Sequence, residues 1–299
     1  MRLTGVLAMA ALLAWAARAE ARGSVSLASM APPVAGDRVL VVAPHPDDET
    51  LCCAGYLQRA QQVGASVAVV WITAGDSFEI DAVIAERTLR PKGRGLEKLG
   101  ALRIAEAQAA ATLLGVPRVD QFVLGYPDRG LAALLADGGD IVHRSAYTGV
   151  DAVPYAEALS PGRRYTGNSL RSDLETVITR FAPTVVLLAA PQDRHADHRA
   201  SGALALELLA RKAPQARAYY WIVHAGHRWP WPPGLHRKRP LLPPAAARSL
   251  AWQQLPLDDT QQLRKLGALR AHRTQREVMG LFLNAFVRSN ELFAPARGD

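Results

Sequence analysis

V39-L-V-V-A-P-H-P-D-D-E-T50 runs five apolar residues straight into one histidine and three acids. The run Val39–Ala43 does not alternate apolar with polar residues, so it reads as a strand buried on both faces, the kind found in parallel sheets. His45, Asp47, Asp48 and Glu49 follow where that strand ends, with a helix-compatible segment over 49–63 behind them. A surface turn needs far less charge. In open parallel sheets ligands collect at the carboxyl ends of strands, so this one stretch predicts a fold and a place for a site.

The same alternation continues downstream. S66-V-A-V-V-W-I-T73 is a second strand, and helical spacing through Leu99, Leu102, Ala105, Ala109 and Leu113 stops at Gly115 and Pro117. R118-V-D-Q-F-V-L124 reads as a third strand, followed by an irregular excursion over 125–167 with a short helix around 129–136. Asn168 is expected to cap a helix reaching Phe181. T184-V-V-L-L-A-A190, a helix over 198–212 and A216-R-A-Y-Y-W-I-V-H224 extend the pattern. S249-L-A-W-Q-Q-L255 is predicted as an edge strand, with helices over 258–272 and 277–288. The expectation is an α/β fold: a mostly parallel central sheet with helices on both faces, formed as a single domain over 37–299.

Composition sets wide limits. The chain has 299 residues, 49% hydrophobic and 21% charged, enough for one large core. A net charge of +8 admits anionic partners without selecting one. Nucleic acid is not expected, because no basic-aromatic pattern or recognised motif accompanies the charge. M1-R-L-T-G-V-L-A-M-A-A-L-L-A-W-A-A-R-A19 reads as a signal peptide, cleaved after Ala19 or Ala21, which predicts an exported, periplasmic or secreted protein. Residues 20–36 are small and Pro-rich, a linker or N-terminal arm, and no second apolar stretch is long enough to span a membrane. Cys52 and Cys53 are adjacent and are expected to be two small buried side chains, unbridged.

A second loop, Pro191 to His198 with the sequence PQDRHADH, follows another strong strand about 150 residues after the first. Two His/Asp-rich loops at one sheet edge can converge on one point. A catalytic zinc site uses three His or carboxylate ligands and leaves a position for water; His45, Asp48 and His198 fit that set. Asp47 then remains beside the water as a general base, a role that requires a carboxylate not bound to metal. Glu49 either pairs with a neighbour or caps the helix. A dinucleotide-binding protein is excluded, since P-H-P-D-D-E stands where a Gly-rich phosphate turn would be needed.

The stretch PHPDDE from Pro44 to Glu49 together with H195-A-D-H198 resembles the LmbE-like, or PIG-L, family of zinc-dependent deacetylases. T73-A-G-D76, R103-I-A-E106 with Ala110 and L114-G115, L124-G-Y-P-D128, and K265-L-G-A-L-R-A-H-R-T-Q275 resemble further family elements in the family's order. The resemblance spans about residues 38–276. It implies a Rossmann-like three-layer sandwich and removal of an N-acetyl group from an N-acetylglucosamine-type amino sugar or glycoconjugate. His45, Asp48 and His198 would hold Zn²⁺, and Asp47 would be the base. His195 would hydrogen-bond the developing oxyanion or protonate the departing amine, and Asp197 would orient a histidine. Arg103 would reach sugar hydroxyls or support the site wall, and Asp193 would stand on the pocket rim. His272 and Gln275 would line the pocket or make a structural hydrogen bond. Another amide or ester as substrate, or a carbohydrate-binding protein without catalysis, are the competing readings. Specificity is expected in the segments 76–95 and 125–167 and in the loop carrying W229-P-W-P-P-G234 and H236-R-K-R239. Its tryptophans suit sugar rings; its basic cluster either meets an anionic partner or is solvated surface.

Overall fold

The computed structural model describes residues 27–77, 93–136, 139–226 and 228–296. The leader-like segment and most of the segment 76–95 lie outside the described residues. Among the described residues, eight strands form one sheet: β1 (Ala28–Ser29), β2 (Arg38–Ala43), β3 (Ser66–Thr73), β4 (Gln121–Tyr126), β5 (Val185–Ala189), β6 (Arg217–Trp221), β7 (Gln253–Pro256) and β8 (Asn290–Pro295). Their spatial order is β1-β7-β8-β6-β5-β2-β3-β4. The helices are α1 (Asp48–Gln62), α2 (Arg94–Leu113), α3 (Leu131–Ala136), α4 (Gly167–Phe181), α5 (Ala196–Lys212), α6 (Asp259–Ala271) and α7 (Arg273–Asn284). α1, α2 and α6 pack together as one layer, and α3, α4 and α5 as another. The result is a Rossmann-like three-layer sandwich.

The strand order explains where a site can form. From β2 the chain steps outward through β3 and β4, then returns to place β5 on the other flank of β2. β2 and β5 pair in parallel, with Val39 opposite Val185 and Val41 opposite Leu187. Their carboxyl ends therefore open side by side at the point where the winding reverses, the crevice that ligands occupy in such sheets. Both acidic loops leave from there. The strands that support them are fully buried: Leu40, Val41, Val185 and Val186 have no exposed surface.

Several elements differ from their sequence expectation. The parallel run ends with β8, which pairs antiparallel to both β6 and β7; sequence reading extended a helix almost to it. β7 is not an edge strand, because β1, within the expected linker, pairs with it in parallel. Residues Arg118–Asp120 form a 3-10 turn before β4 begins. The cap of α4 is Thr166, whose hydroxyl accepts from the Ser169 amide at 3.0 Å, while Asn168 turns outward to donate to Asp140. Cys52 and Cys53, expected unbridged, are bonded to each other through their sulfurs on α1, where both are buried.

β8 also locks the helix that carries the acidic motif. The Glu291 carboxylate accepts from the Gly55 and Tyr56 amides at 2.8 and 3.1 Å and from Lys265 Nζ at 2.7 Å. Lys265 Nζ donates in turn to the Leu51 carbonyl at 2.7 Å. The approach needs a glycine at 55, since a Cβ there would overlap Leu257 Cδ2. Both charges are buried, and removing one partner of such a pair strands the other in a low-dielectric interior. Lys265→Met is expected to cost roughly 3–5 kcal/mol of unfolding free energy, read from urea denaturation. A loss below about 1 kcal/mol, the range of an exposed pair, would refute the clamp.

Candidate metal centre

The turn between β2 and α1 is held open against its own backbone preference. Asp47 sits at φ 136°, a conformation costly for any residue with a Cβ. Hydrogen bonds to three groups pin it. The Pro46 carbonyl accepts from Gln275 Nε2 and, at 3.3 Å, from Arg103 Nη2. The Pro44 carbonyl accepts from the Thr73 amide and hydroxyl at 3.0 and 2.9 Å. Glu49 accepts from the Asp47 amide at 3.1 Å, from Trp71 Nε1 at 2.9 Å and from the Thr50 hydroxyl at 2.6 Å. Glu49 is thus the anchor of the turn, which settles the role left open from sequence.

With the turn fixed, three donor atoms meet. His45 Nδ1 lies 3.1 Å from His198 Nε2, and Asp48 Oδ2 lies 3.5 and 3.3 Å from those two nitrogens. Three ligands at about 2.0–2.2 Å around one tetrahedral ion would stand roughly 3.3–3.6 Å apart. The triangle therefore matches a divalent metal ion of zinc's size. The second nitrogen of each ring faces a carboxylate: His198 Nδ1 is 3.1 Å from Asp193, and His45 Nε2 is 3.1 Å from Asp128 and 3.3 Å from Asp197. Imidazoles backed in this way are the usual arrangement of metal-binding histidines. Two other groupings of close donors are present: His45 with His195 and His198, where His195 Nδ1 already accepts from the Asp197 amide, and His45 with Asp128, His195 and Asp197. Those carboxylates are the more heavily engaged: Asp197 accepts from the Arg129 and Leu131 amides and Asp128 from the Ser77 amide and hydroxyl, while Asp48 Oδ2 accepts from the His45 amide alone, at 2.9 Å. The Nδ1 side of His45 is the better seat.

Asp47, by contrast, faces a cavity of about 160 Å³ beside the triangle. Among the described residues its nearest cation is Arg103 Nη2 at 4.0 Å. Burial, reinforced by the Asp48 charge, pushes its carboxyl up to about 7. Arg103 lines the cavity, yet its Nη1 is committed to the Gly75 carbonyl at 2.5 Å. Gly75 has φ 65°, and a Cβ there would meet the guanidinium, so the turn after β3 depends on glycine.

His195 begins α5, and its Nδ1 accepts from the Asp197 amide at 3.2 Å. Because that amide can only donate, the ring proton belongs on Nε2. Burial, aided by the neighbouring imidazoles of His45, His198 and His224, pushes His195 down to about 3. It is a neutral hydrogen-bond donor on the cavity wall.

Two expected positions need correction. Asp193 does not stand on the rim: it is 1% exposed, and its carboxylate accepts from the His195, Val223 and His224 amides behind His198. The turn at the end of β5 folds it inward, so it cannot meet a substrate. His272 is fully buried too, 3.3 Å from Glu49 and 3.2 Å from the Thr50 hydroxyl, outside the cavity lining. Asp128, Arg129 and His224 line the cavity and were assigned no role from sequence. Asp128 and His224 each follow a parallel strand at its carboxyl end, and that position was the signal to use.

A family model described as "PIG-L: GlcNAc-PI de-N-acetylase" matches residues 40–209. A 1D-myo-inositol 2-acetamido-2-deoxy-alpha-D-glucopyranoside deacetylase of Corynebacterium urealyticum is 37% identical over 115 residues, 38% of this chain. The chain spans only 33% of that relative's length. Among solved structures, N,N'-diacetylchitobiose deacetylase from Pyrococcus horikoshii superposes with a TM-score of 0.51 at 21% identity, covering 85% of this chain and 82% of its own. GalB, the 4-carboxy-2-hydroxymuconate hydratase from Pseudomonas putida, superposes at 0.52 with 17% identity, covering 82% of each chain. At these identities the superpositions show a common fold, and the hydratase among them shows that this fold serves more than one reaction.

Proposed function

Because the chain belongs to the PIG-L family, we propose that it is a zinc-dependent hydrolase that removes the acetyl group from an N-acetylglucosamine-type sugar or glycoconjugate. The observation that carries the reading is the division of labour within one turn. His45, Asp48 and His198 converge as a metal-sized triangle, while the Asp47 carboxylate lines the cavity off that triangle, with Arg103 Nη2 4.0 Å away. A purely sugar-binding protein has no use for a strained, pinned turn that presents a free carboxylate beside a metal seat.

His45, Asp48 and His198 would hold Zn²⁺, which when bound supplies a polarised acyl carbonyl and an acidified water. Asp47, on the cavity wall and off the triangle, is placed to take a proton and return it to the departing amine. Neutral His195 donates from Nε2 to the oxygen on which charge develops, the task of an oxyanion-hole donor. Asp193 and Asp197 hold the two histidine rings, and Arg103 fixes the wall behind Asp47. We place the enzyme outside the cytoplasm on the strength of residues 1–19, which N-terminal sequencing of the protein recovered from a host's extracytoplasmic fraction would check.

The test is metal content together with acetate release from N-acetylglucosamine, N,N'-diacetylchitobiose and longer chito-oligomers. We expect one tightly held metal per chain, activity abolished by a chelator, and recovery on adding Zn²⁺. A fully metallated protein that releases acetate from none of these, but hydrolyses simple esters or other amides, would move the reading to a different hydrolase.

A further inference from the structure

Among the described residues, Leu281 and Trp231 are the most exposed large apolar side chains, at 70% and 69%. They border one groove, between α7 and the W229-P-W-P-P-G234 loop, and Trp231 borders a second groove with Leu242 and Arg228. Leu235, next in the chain to Gly234, belongs to the same place, because the Gly234 amide donates to the Leu281 carbonyl at 2.7 Å. Leu235 and Leu242 are exposed as well. Single exposed leucines are ordinary on a protein surface; four large apolar side chains gathered at one point mark an interaction site.

The loop that presents them is built in place. Trp229 Nε1 donates to the Leu242 carbonyl at 2.8 Å, the Leu241 amide to Asn290 Oδ1 at 2.6 Å, and Arg288 Nη2 to the Pro232 carbonyl at 2.5 Å. Trp231 is thus held outward between two grooves, as a projection and not as the wall of a cup. The charge around it has one sign. From 208 to 257 the sequence contains no Asp or Glu. Arg228, Lys238, Arg239 and Arg248 lie in that span, are exposed and make no ion pair among the described residues. Arg237 is paired with Asp259 at 2.8 Å. Glu277 is the one acid bordering the two grooves, and Arg228 and Arg276 border them too.

An apolar tip ringed by unpaired cations fits the surface of an anionic bilayer. Tryptophan settles at headgroup level, leucine reaches the acyl boundary, and Lys and Arg meet the lipid phosphates. A protein partner fits less well. A stable protein interface takes about 800 Å² from each side over roughly 20–30 residues, and a projecting tip of four apolar side chains is far smaller. A bilayer needs no matching cup.

We propose that the face formed by Trp231, Leu235, Leu242 and Leu281 docks the protein peripherally on an anionic lipid bilayer, with Lys238 and Arg239 against the phosphates. No helix among the described residues is long and apolar enough to cross a membrane, and this docking asks for none. α7 carries Leu281 on the docking face and Met279 and Phe282 on the wall of the metal-side cavity. Docking therefore sets that wall about one helix diameter, ~10 Å, from the lipid.

The test is co-sedimentation of the full chain with vesicles of phosphatidylcholine alone and of phosphatidylcholine mixed with phosphatidylglycerol, at low and high salt. Binding should favour the anionic vesicles and weaken with salt. Lys238→Gln with Arg239→Gln should lower the partition coefficient roughly 30-fold, at about fivefold per cation, and Trp231→Ala at least roughly tenfold. Lipid brominated in its acyl chains should quench tryptophan emission in the wild type more than in Trp231→Phe. Circular dichroism should show each variant folded, since every altered side chain is exposed. Binding retained in full by these variants would belong to the apolar segment 1–19 or to another face, and overturns the proposal. So does the absence of binding to either vesicle. A dimer that Trp231→Ala dissolves, without vesicle binding, would assign the face to a second copy of this chain instead.

Discussion

Asp47→Asn is expected to retain metal at the wild-type ratio while acetate release falls by roughly 10²–10⁴-fold, the usual contribution of a positioned general base. The substitution is nearly isosteric, and the clamps on the turn act on the Pro44 and Pro46 carbonyls and the Asp47 amide, none of which it changes. The φ of 136° is tolerated at least as well by Asn as by Asp. What disappears is the only group among the described cavity residues that combines a titratable oxygen near neutrality with a position off the metal triangle. Metal analysis beside a steady-state assay separates the outcomes. Near-wild-type turnover at full metal content would remove Asp47 from the base role.

His198→Ala should act on the opposite half of the site, leaving metal content near zero after gel filtration and turnover at background. His198 is fully buried between Asp48 at 3.3 Å and Asp193 at 3.1 Å. Removing the ring deletes one donor of three and faces two buried carboxylates with an empty space. Asp193→Asn is the graded control. It keeps the donor triangle but weakens the acceptor that orients His198, and loss of such a partner typically lowers metal affinity by about 10–100-fold. If His198→Ala bound metal as tightly as the wild type, the alternative cluster of His45, Asp128, His195 and Asp197 would become the metal seat.

The parallel half of the sheet was legible because its strands are apolar on both faces, and β3 was placed to the residue. The His/Asp loops were legible for the same reason: charge at the end of a buried strand has few structural uses. The antiparallel strand β8 was not, because it opens on Asn290 and Glu291 and leaves only a short apolar run over 292–294, and the reason for Glu291 lies in Lys265 and the α1 amides far away in sequence. Asp193 was misplaced for a related cause. A polar loop residue next to a site looks like rim, and only the three amides that converge on it reveal it as a support. Glu49 shows the same limit, since its partner Trp71 reads as an ordinary strand residue.

The clamp between Gln275 and Pro46 joins residues 229 positions apart, and that between Glu291 and Gly55 joins residues 236 apart. Contacts of such long sequence separation are among the last a folding chain can make. All three metal donors are synthesised by residue 198, well before the residues that hold their turn in its strained form. A chain emerging from a ribosome or a translocon would therefore carry its ligands for some time without a finished seat. On the proposed reading of the site, metal binding is expected to wait until β8 has docked and the turn is held.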